Sequence, residues 1–566
     1  MVQTTCTTCG TTFPITPEEI EFLNRVSPII NDKKLSLPSP IDCFDCRLQR
    51  RLAFYNSRTL YNRKCDHSGK QIVSIYKPDS PFVVYDKDIW FSDKHNALDY
   101  GRDFDFNRPF FEQFRELLET APLPNIAVIG TENINSDYTN DNLTLKNCYL
   151  IFDGEQAEDG YYGHTFVRIK SCMDFLAIEN SELCYECTHC YNCYNTKFSR
   201  FCHNCQDSWF LRDCIGCKKC FGCANLHKKE YHIFNKPHSK EEYEEFINNF
   251  ESNKQSVINE MKNKVEEFFL TQPVKATRGI QTQDSTGDNL NHSKNAQHCF
   301  DCNELHDCAY CTDCITGAKD SRDVHIWGTK MELCYNSCVI GINVRNVISG
   351  YYISRGCSNV YYSYFCDRTS SNLLGCVGIE HDNNIIFNKK YSEDEYNDLA
   401  TRIIEHMQST GEWGQFFPPE ISCFGYNETM AQSFFPLERE EALSNGFQWN
   451  DYDPPVEADK TIEAAQLPDS TDDIPDDVLN WAIKCEETGR PFRLIKQELA
   501  FYRNHKLPIP RRHPDQRHFD RFEYKNPYRL WKRKCNKCGT EMDTAYAPGR
   551  PEKVYCESCY HKEVYG

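Results

Sequence analysis

The chain contains no run of eighteen apolar residues, so no transmembrane helix is expected. Its first residues, Met1 to Ile20, lack an apolar leader core and run straight into Cys6-Thr-Thr-Cys9, which argues against a secretory signal. Also missing are the phosphate-cradling P-loop, G-x-G-x-x-G, the G-x-S-x-G nucleophile turn and the H-E-x-x-H zinc helix. No catalytic centre therefore announces itself. Positive charge is outnumbered as well: 64 Lys and Arg against 83 Asp and Glu leave a net charge of -19. A protein coated by nucleic acid over its whole surface would need the opposite balance.

Cysteine is what the chain has in excess, 33 residues in 566. Without a leader, these thiols read as metal ligands or packing groups in a reducing, cytoplasmic compartment rather than as disulfides. From Cys148 onward they fall into columns eighteen residues apart: Cys148, Phe166, Cys184, Cys202 and Cys220, with Ile151, Ile169, Cys187, Cys205 and Cys223 in step. Small or apolar residues replace cysteine within a column, as buried positions of stacked coils allow. The expected fold is mainly β with helices: two cysteine-rich β-solenoid units with a coil of about eighteen residues, each closed by an amphipathic helix and flanked by zinc-ribbon modules. Because the columns accept Phe, Ile, Ala, Leu, Gly and Ser, packing is the leading role of their thiols. A further metal among Cys184, Cys187, Cys202 and Cys205 is the alternative.

Two pairs of C-x-x-C knuckles stand apart from the columns. Cys6, Cys9, Cys43 and Cys46 form one quartet and Cys535, Cys538, Cys556 and Cys559 the other, and each can place four thiolates around a structural zinc ion. A degenerate third copy aligns Cys6 with Cys485, Gly10 with Gly489, Glu19 with Glu498, Phe22 with Phe501 and Arg47 with Arg517, while Thr488 and Gln516 occupy ligand positions. The middle is duplicated too. Ile233-Phe234-Asn235-Lys236 recurs as Ile386-Phe387-Asn388-Lys389, and each copy leads to an S-x-x-E helix start, Ser239 with Glu242 and Ser392 with Glu395. The first of these helices is expected to run from Lys240 to about Leu270.

These observations divide the chain as follows. An N-terminal zinc ribbon occupies 1–64 and a small α+β unit 65–135, with a helix near Arg108 to Thr120. The first solenoid spans 136–236, its capping helix 237–272, and the second solenoid 273–390. A helix and Phe/Pro-rich packing segment follows at 391–450, then an acidic linker at 451–477, the degenerate ribbon at 478–520 and the C-terminal ribbon at 521–566.

Basic residues gather beside the knuckles. Arg47, Arg50 and Arg51 lie near one end, and Arg511, Arg512, Arg517, Lys532, Arg533 and Lys534 near the other, interleaved with aromatic residues. Cations neutralise phosphates and rings stack on unpaired bases, so these nine residues are candidate nucleic-acid contacts.

The stretch Cys6-Thr-Thr-Cys9-Gly10, the return Cys43-Phe-Asp-Cys46-Arg47 and the following Lys64-Cys65-Asp66-His67-Ser68-Gly69-Lys70 carry a resemblance. The chain resembles uncharacterised bacterial zinc-ribbon proteins, and its N-terminal knuckles are similar to a "probable zinc-ribbon" domain recognised across bacteria. That likeness implies zinc and no activity. The expected function is a non-enzymatic zinc-binding scaffold that docks on RNA or a ribonucleoprotein such as the ribosome through its basic ends, without membrane attachment. A protein-assembly scaffold without nucleic acid is the first alternative. A solenoid-based carbohydrate-active enzyme using Asp313, Asp320, Asp323 and Glu332 is the second.

Overall fold

A computed structural model describes residues 2–127 and 133–566. The fold is mixed α/β with large multi-stranded sheets and no closed barrel among the described residues. The chain separates into two compact units, and each draws on both halves of the sequence. One comprises Met1–Ile126, Thr277–Asp451 and Pro527–Leu530; the other comprises Ala127–Ala276, Tyr452–Asn526 and Trp531–Gly566.

The large sheet of the second unit is built from triplets. At every third residue from Asp141 to Phe234 the backbone is left-handed, with φ near 50–60°. Non-glycine residues pay about 1 kcal/mol or more for that conformation, least for Asn and Asp. The strain is offset by backbone hydrogen bonds. The left-handed residue donates thirteen residues back (Tyr162 N–H to Tyr149 O, 3.0 Å), and its predecessor donates eleven residues forward (Tyr161 N–H to Cys172 O, 3.1 Å). Each triplet thus supplies one inward side chain, one bridging residue and one corner.

Parallel partners lie twelve residues apart. Ile151 pairs with Thr139 and Phe152 with His164, while isolated bridges join Tyr149, Tyr161, Met173, Tyr185 and Lys197 in succession. Parallel ladders also link Thr188 to Arg200, Tyr191 to His203 and Tyr194 to Gln206, so the chain visits four ladders three residues apart before returning. The expected eighteen-residue spacing is therefore corrected to a parallel register of twelve. Eighteen is six triplets, so columns at that spacing stay inward-facing, but the chain comes back after four.

The first unit contains a second parallel ladder that mostly steps by thirteen, pairing Cys334 with Val347 and Val347 with Val360, then returns to twelve between Ser371 and Asn383. Its interior is likewise lined by cysteines and aliphatic residues, from Cys299 to Ile385.

Cysteine suits these interiors because it is small and its S–H can be satisfied by nearby backbone. Cys214 donates to Arg212 O (3.5 Å) and Cys223 O (3.5 Å), and the same pattern recurs at Cys172, Cys190 and Cys220. Serine substitutes by the same means. Ser181 Oγ donates to Glu179 O (2.8 Å) and accepts from Cys193 N–H (3.0 Å). Burial raises the Cys148 thiol to about 11 and the Cys357 and Cys376 thiols to about 12, so they remain protonated near neutral pH.

Both anticipated helix starts form reciprocal capping boxes, Ser239 with Glu242 and Ser392 with Glu395. Glu393–Thr410 is one helix, whereas the stretch expected as a single helix from Lys240 is two, Lys240–Asn248 and Gln255–Thr271. The break is held from outside. Asp469 accepts Ser256 N–H (2.8 Å), its carbonyl accepts Gln255 N–H (3.0 Å), and Asn253 donates to Asp472 (2.7 Å). The acidic stretch is accordingly an exposed tether only over its first part. Lys460–Glu463 pairs with Trp481–Lys484, and Leu467 and Ile474 are buried.

Candidate metal centres

Each cysteine quartet is assembled by a hairpin and a helix start. In the first, Val2–Thr5 and Thr12–Ile15 pair antiparallel. The turn between them carries Cys6 and Cys9 and closes on Gly10, whose N–H donates to Cys6 O (3.0 Å) at φ 72°. Cys43 and Cys46 open the helix Phe44–Leu52, with Cys43 at its N-cap. The last quartet repeats this plan. Trp531–Lys534 pairs with Glu541–Thr544, Gly539 N–H donates to Cys535 O (2.9 Å) at φ 77°, and Cys556 caps Glu557–Val564.

The thiols converge. All four ligand atoms of each quartet lie within 4.8 Å of one another, and these are the only two such groups among the described residues. Cys9 Sγ stands 3.7 Å from Cys43 Sγ and Cys538 Sγ 3.8 Å from Cys556 Sγ. Four sulfurs arranged tetrahedrally at ~2.3 Å from an ion would be about 3.8 Å apart, so the donor set fits a closed four-thiolate metal site. Hydrogen bonding within each quartet favours one thiolate at the expense of its neighbours, pushing Cys46 up and Cys559 up to about 12. Hydrogen bonding, chiefly from Cys46, draws Cys43 down to about 5, and Thr540 leads the groups that draw Cys538 to about 6. Asp42 braces the first knuckle by accepting from Cys6 Sγ (3.5 Å), Thr7 Oγ1 (2.7 Å) and Thr8 N–H (3.2 Å).

The further metal site expected among Cys184, Cys187, Cys202 and Cys205 does not assemble. With a return of twelve residues, Thr188 bridges to Arg200 and Tyr191 to His203, which stacks Cys202 on the coil position of Cys190 rather than Cys184. Residues eighteen apart are one and a half turns removed.

A ribbon framework not among the expected modules lies in residues 61–90, at a constant offset of 470 from the C-terminal ribbon. Tyr61, Lys64, Cys65, Gly69, Tyr76, Pro78, Val84 and Tyr85 match Trp531, Lys534, Cys535, Gly539, Tyr546, Pro548, Val554 and Tyr555. Ser68, Asp86 and Ile89 stand where Cys538, Cys556 and Cys559 are candidate ligands. The framework persists: Gly69 N–H donates to Cys65 O (2.8 Å), and Asp86 N–H reaches Cys65 Sγ (3.2 Å) as Cys556 N–H reaches Cys535 Sγ (3.3 Å). The degenerate copy near Cys485 keeps the same turn (Gly489 N–H to Cys485 O, 2.9 Å), and its His513 caps Pro514–Phe522 by accepting Asp515 N–H (3.1 Å). No family model matches this chain, and no curated protein matches it.

Three of the nine basic candidates are placed in the interior. Arg47 and Arg51 are buried against Asp323, at 3.0 and 3.2 Å, and Arg47 also lies 3.6 Å from Glu19. In the other unit, buried Arg517 meets Asp174 (3.1 Å) and Glu498 (3.4 Å). Burial opposes the charges of Arg47 and Arg517, but the surrounding groups together outweigh it and hold both guanidinium groups ionised, Asp323 with Tyr335 and Glu19 around the first and Asp174 with Tyr502 and Glu498 around the second. The structure thus places these three guanidinium groups in the interior beside carboxylates, rather than on an exposed face where phosphate contact was expected.

The other six remain nearer the surface. Arg50 pairs with Asp42 (2.8 Å), and Arg511 donates to the carbonyl of Ala464 (2.6 Å). Arg512 meets Glu486 (3.0 Å) and Asp520 (2.8 Å), Lys532 meets Asp543 (2.9 Å), and Arg533 donates to Ala547 O (3.0 Å). Lys534 is exposed.

The carboxylates considered for glycosidic chemistry each have a basic or phenolic partner, and Asp320 and Glu332 share Lys319 (4.0 and 2.8 Å). Asp313 accepts from Tyr528, Asp320 pairs with Arg25 (2.9 Å), and Glu332 pairs with Lys319 (2.8 Å), while Asp323 holds the two arginines.

Proposed function

We propose that this chain is a non-enzymatic scaffold for protein assembly, stabilised by two structural zinc ions, one in each unit. The observation that carries the zinc assignment is the pair of converged cysteine quartets. All-sulfur, four-coordinate sites with no open position suit structural zinc rather than catalysis. The repeating registers of twelve and thirteen support β-solenoid units, whose stacked coils would present rigid faces for partners. Assembly is preferred over RNA docking because buried carboxylates already engage Arg47, Arg51 and Arg517, and most of the remaining basic candidates also have internal partners. No helix among the described residues is long and apolar enough to cross a membrane. Interior cysteines that are all free thiols suit a reducing, cytoplasmic setting.

The test is purification from the native cell with and without nuclease, combined with metal analysis. Two zinc ions per chain and a nuclease-resistant protein partner are expected. A nuclease-sensitive partner, lost steeply with added salt, would return the assignment to RNA and direct attention to Lys532 and Lys534.

A further inference from the structure

One ribbon framework is used twice as a clamp, once with four candidate ligands and once with only Cys65. In the second unit the C-terminal ribbon grips Val274–Ala276, where the chain leaves that unit for a segment of the other that begins at Thr277. Val274 pairs in parallel with Val554 and Lys275 with Tyr555. Val274 N–H donates to Lys553 O (2.9 Å) and Ala276 N–H to Tyr555 O (3.0 Å), while Ala276 O accepts from Ala545 N–H (3.2 Å) and Thr544 Oγ1 (2.7 Å). Val274, Ala276, Tyr546 and Val554 form a buried cluster around these bonds.

In the first unit the framework at 61–90 grips Leu123–Asn125 in the same way. Val84 pairs with Leu123 and Tyr85 with Pro124. Leu123 N–H donates to Val83 O, Asn125 N–H to Tyr85 O and Ile75 N–H to Asn125 O, each at 2.9 Å. Here polar side chains do what thiols would do. Asp86, at the position of Cys556, caps the helix Lys87–Trp90 by accepting Asp88 N–H (2.9 Å). Asn125, at the position of Ala276, donates to Val73 O (2.6 Å) and accepts from Lys87 N–H (2.7 Å), which ties hairpin, helix start and clamped segment together.

The C-terminal ribbon has neither device. Cys556 makes no side-chain cap bond, and Ala276 has no side-chain donor or acceptor. Tyr560 anchors the helix Glu557–Val564 to the ladder through Asn225 (3.0 Å), so the cysteine quartet is the joint that fastens the hairpin to that helix.

The two quartets also differ in access. In the first, Cys6, Cys43 and Cys46 are buried and Cys9 is exposed; in the last, only Cys535 is buried. The first is cross-linked by side chains as well. Asp42, beside Cys43, accepts from Thr7 Oγ1 (2.7 Å) and Thr8 Oγ1 (2.9 Å) between Cys6 and Cys9, and pairs with Arg50 (2.8 Å). Exposure and weaker bracing both make the last quartet the easier one to strip. Building on the zinc reading above, we propose that the C-terminal quartet is an exchangeable zinc site that opens and closes the clamp on Val274–Ala276, while the N-terminal quartet keeps its ion.

The test treats purified full-length protein with graded EDTA, counting zinc per chain by native mass spectrometry and following amide hydrogen exchange. Gly10 and Gly539, whose N–H groups close the two knuckles, report which site has emptied. Chains with one ion are expected to show Gly539 released and Gly10 protected, with exchange at Val274 and Ala276 about tenfold faster or more. Exchange at Leu123 and Asn125 should be unchanged, and added zinc should restore the original pattern. The proposal is overturned if the N-terminal site empties first or together with the C-terminal one, if neither empties while the protein stays folded, or if Val274 and Ala276 stay protected once Gly539 is released. Those results leave the zinc assignment standing, because the protein began with two ions; fewer than two before EDTA overturns that assignment and this proposal with it.

Discussion

Replacing Arg517 by Met is the sharpest probe of how the second unit is held together. Its guanidinium is buried, 3.1 Å from Asp174, 3.4 Å from Glu498 and 3.1 Å from Tyr502 Oη, and lies over the Tyr162 ring. Methionine keeps much of the volume and removes the charge, leaving Asp174 with Arg521 and Glu498 with only its tyrosine donors, Tyr162 (2.6 Å) and Tyr502 (3.1 Å). Removing one partner of a buried ion pair costs about 3–5 kcal/mol. At roughly 2–4 °C per kcal/mol for a unit of this size, the transition should fall by about 6–20 °C.

The loss should depend on pH. Burial already raises the Glu498 carboxyl above its ordinary range, with Arg517 the leading group that counters it, so the substitution pushes it higher still. A carboxyl raised in the folded state contributes stability at low pH that is lost as pH rises through its folded value. The deficit relative to wild type should therefore be smaller at pH 5.5 than at pH 7.5. Calorimetry or urea titration of both proteins at each pH checks this, and comparing the two at the same pH cancels effects on the cysteine quartets. A deficit below about 1 kcal/mol at pH 7.5, or one that grows on acidification, would refute the reasoning.

Other outcomes follow from the same structure. Cys9→Ser and Cys538→Ser should each lower bound zinc from two to one per chain by mass spectrometry of the native protein, whereas Cys187→Ser should leave it at two. Cys205→Ser should cost no more than about 1.5 kcal/mol in urea titration, because Cys205 Sγ already donates to Cys214 O (3.4 Å) and a hydroxyl can do the same. Gly287→Ala should cost more than about 3 kcal/mol: φ is 142° there, and an added Cβ would meet Cys299 O at 1.7 Å. Gly549→Ala, with nothing within 4 Å, is the neutral control in the same assay.

Where the chemistry is local, the sequence reading and the structure agree. The knuckle cysteines converge as their spacing requires, and the Ser239 and Ser392 capping boxes form because their partners lie three residues away. The register of twelve is not legible in the sequence, because every multiple of three keeps inward positions aligned. The 61–90 framework is faint in sequence because only Cys65 survives of its four ligand positions, and its signal lies in the glycine, proline and tyrosine scaffold around them. Arg47 and Arg517 looked like surface charge because nothing near them in sequence reveals Asp323 or Asp174.

From sequence alone came the ligand quartets, the inward placement of the cysteines and the helix starts, all consequences of interactions within a few residues. Tertiary structure decided that the backbone returns after four triplets, which arginines are enclosed, and which ladder each ribbon joins. Those outcomes depend on hydrogen bonds between coils and on carboxylates hundreds of residues away, and no short stretch of chain contains both partners.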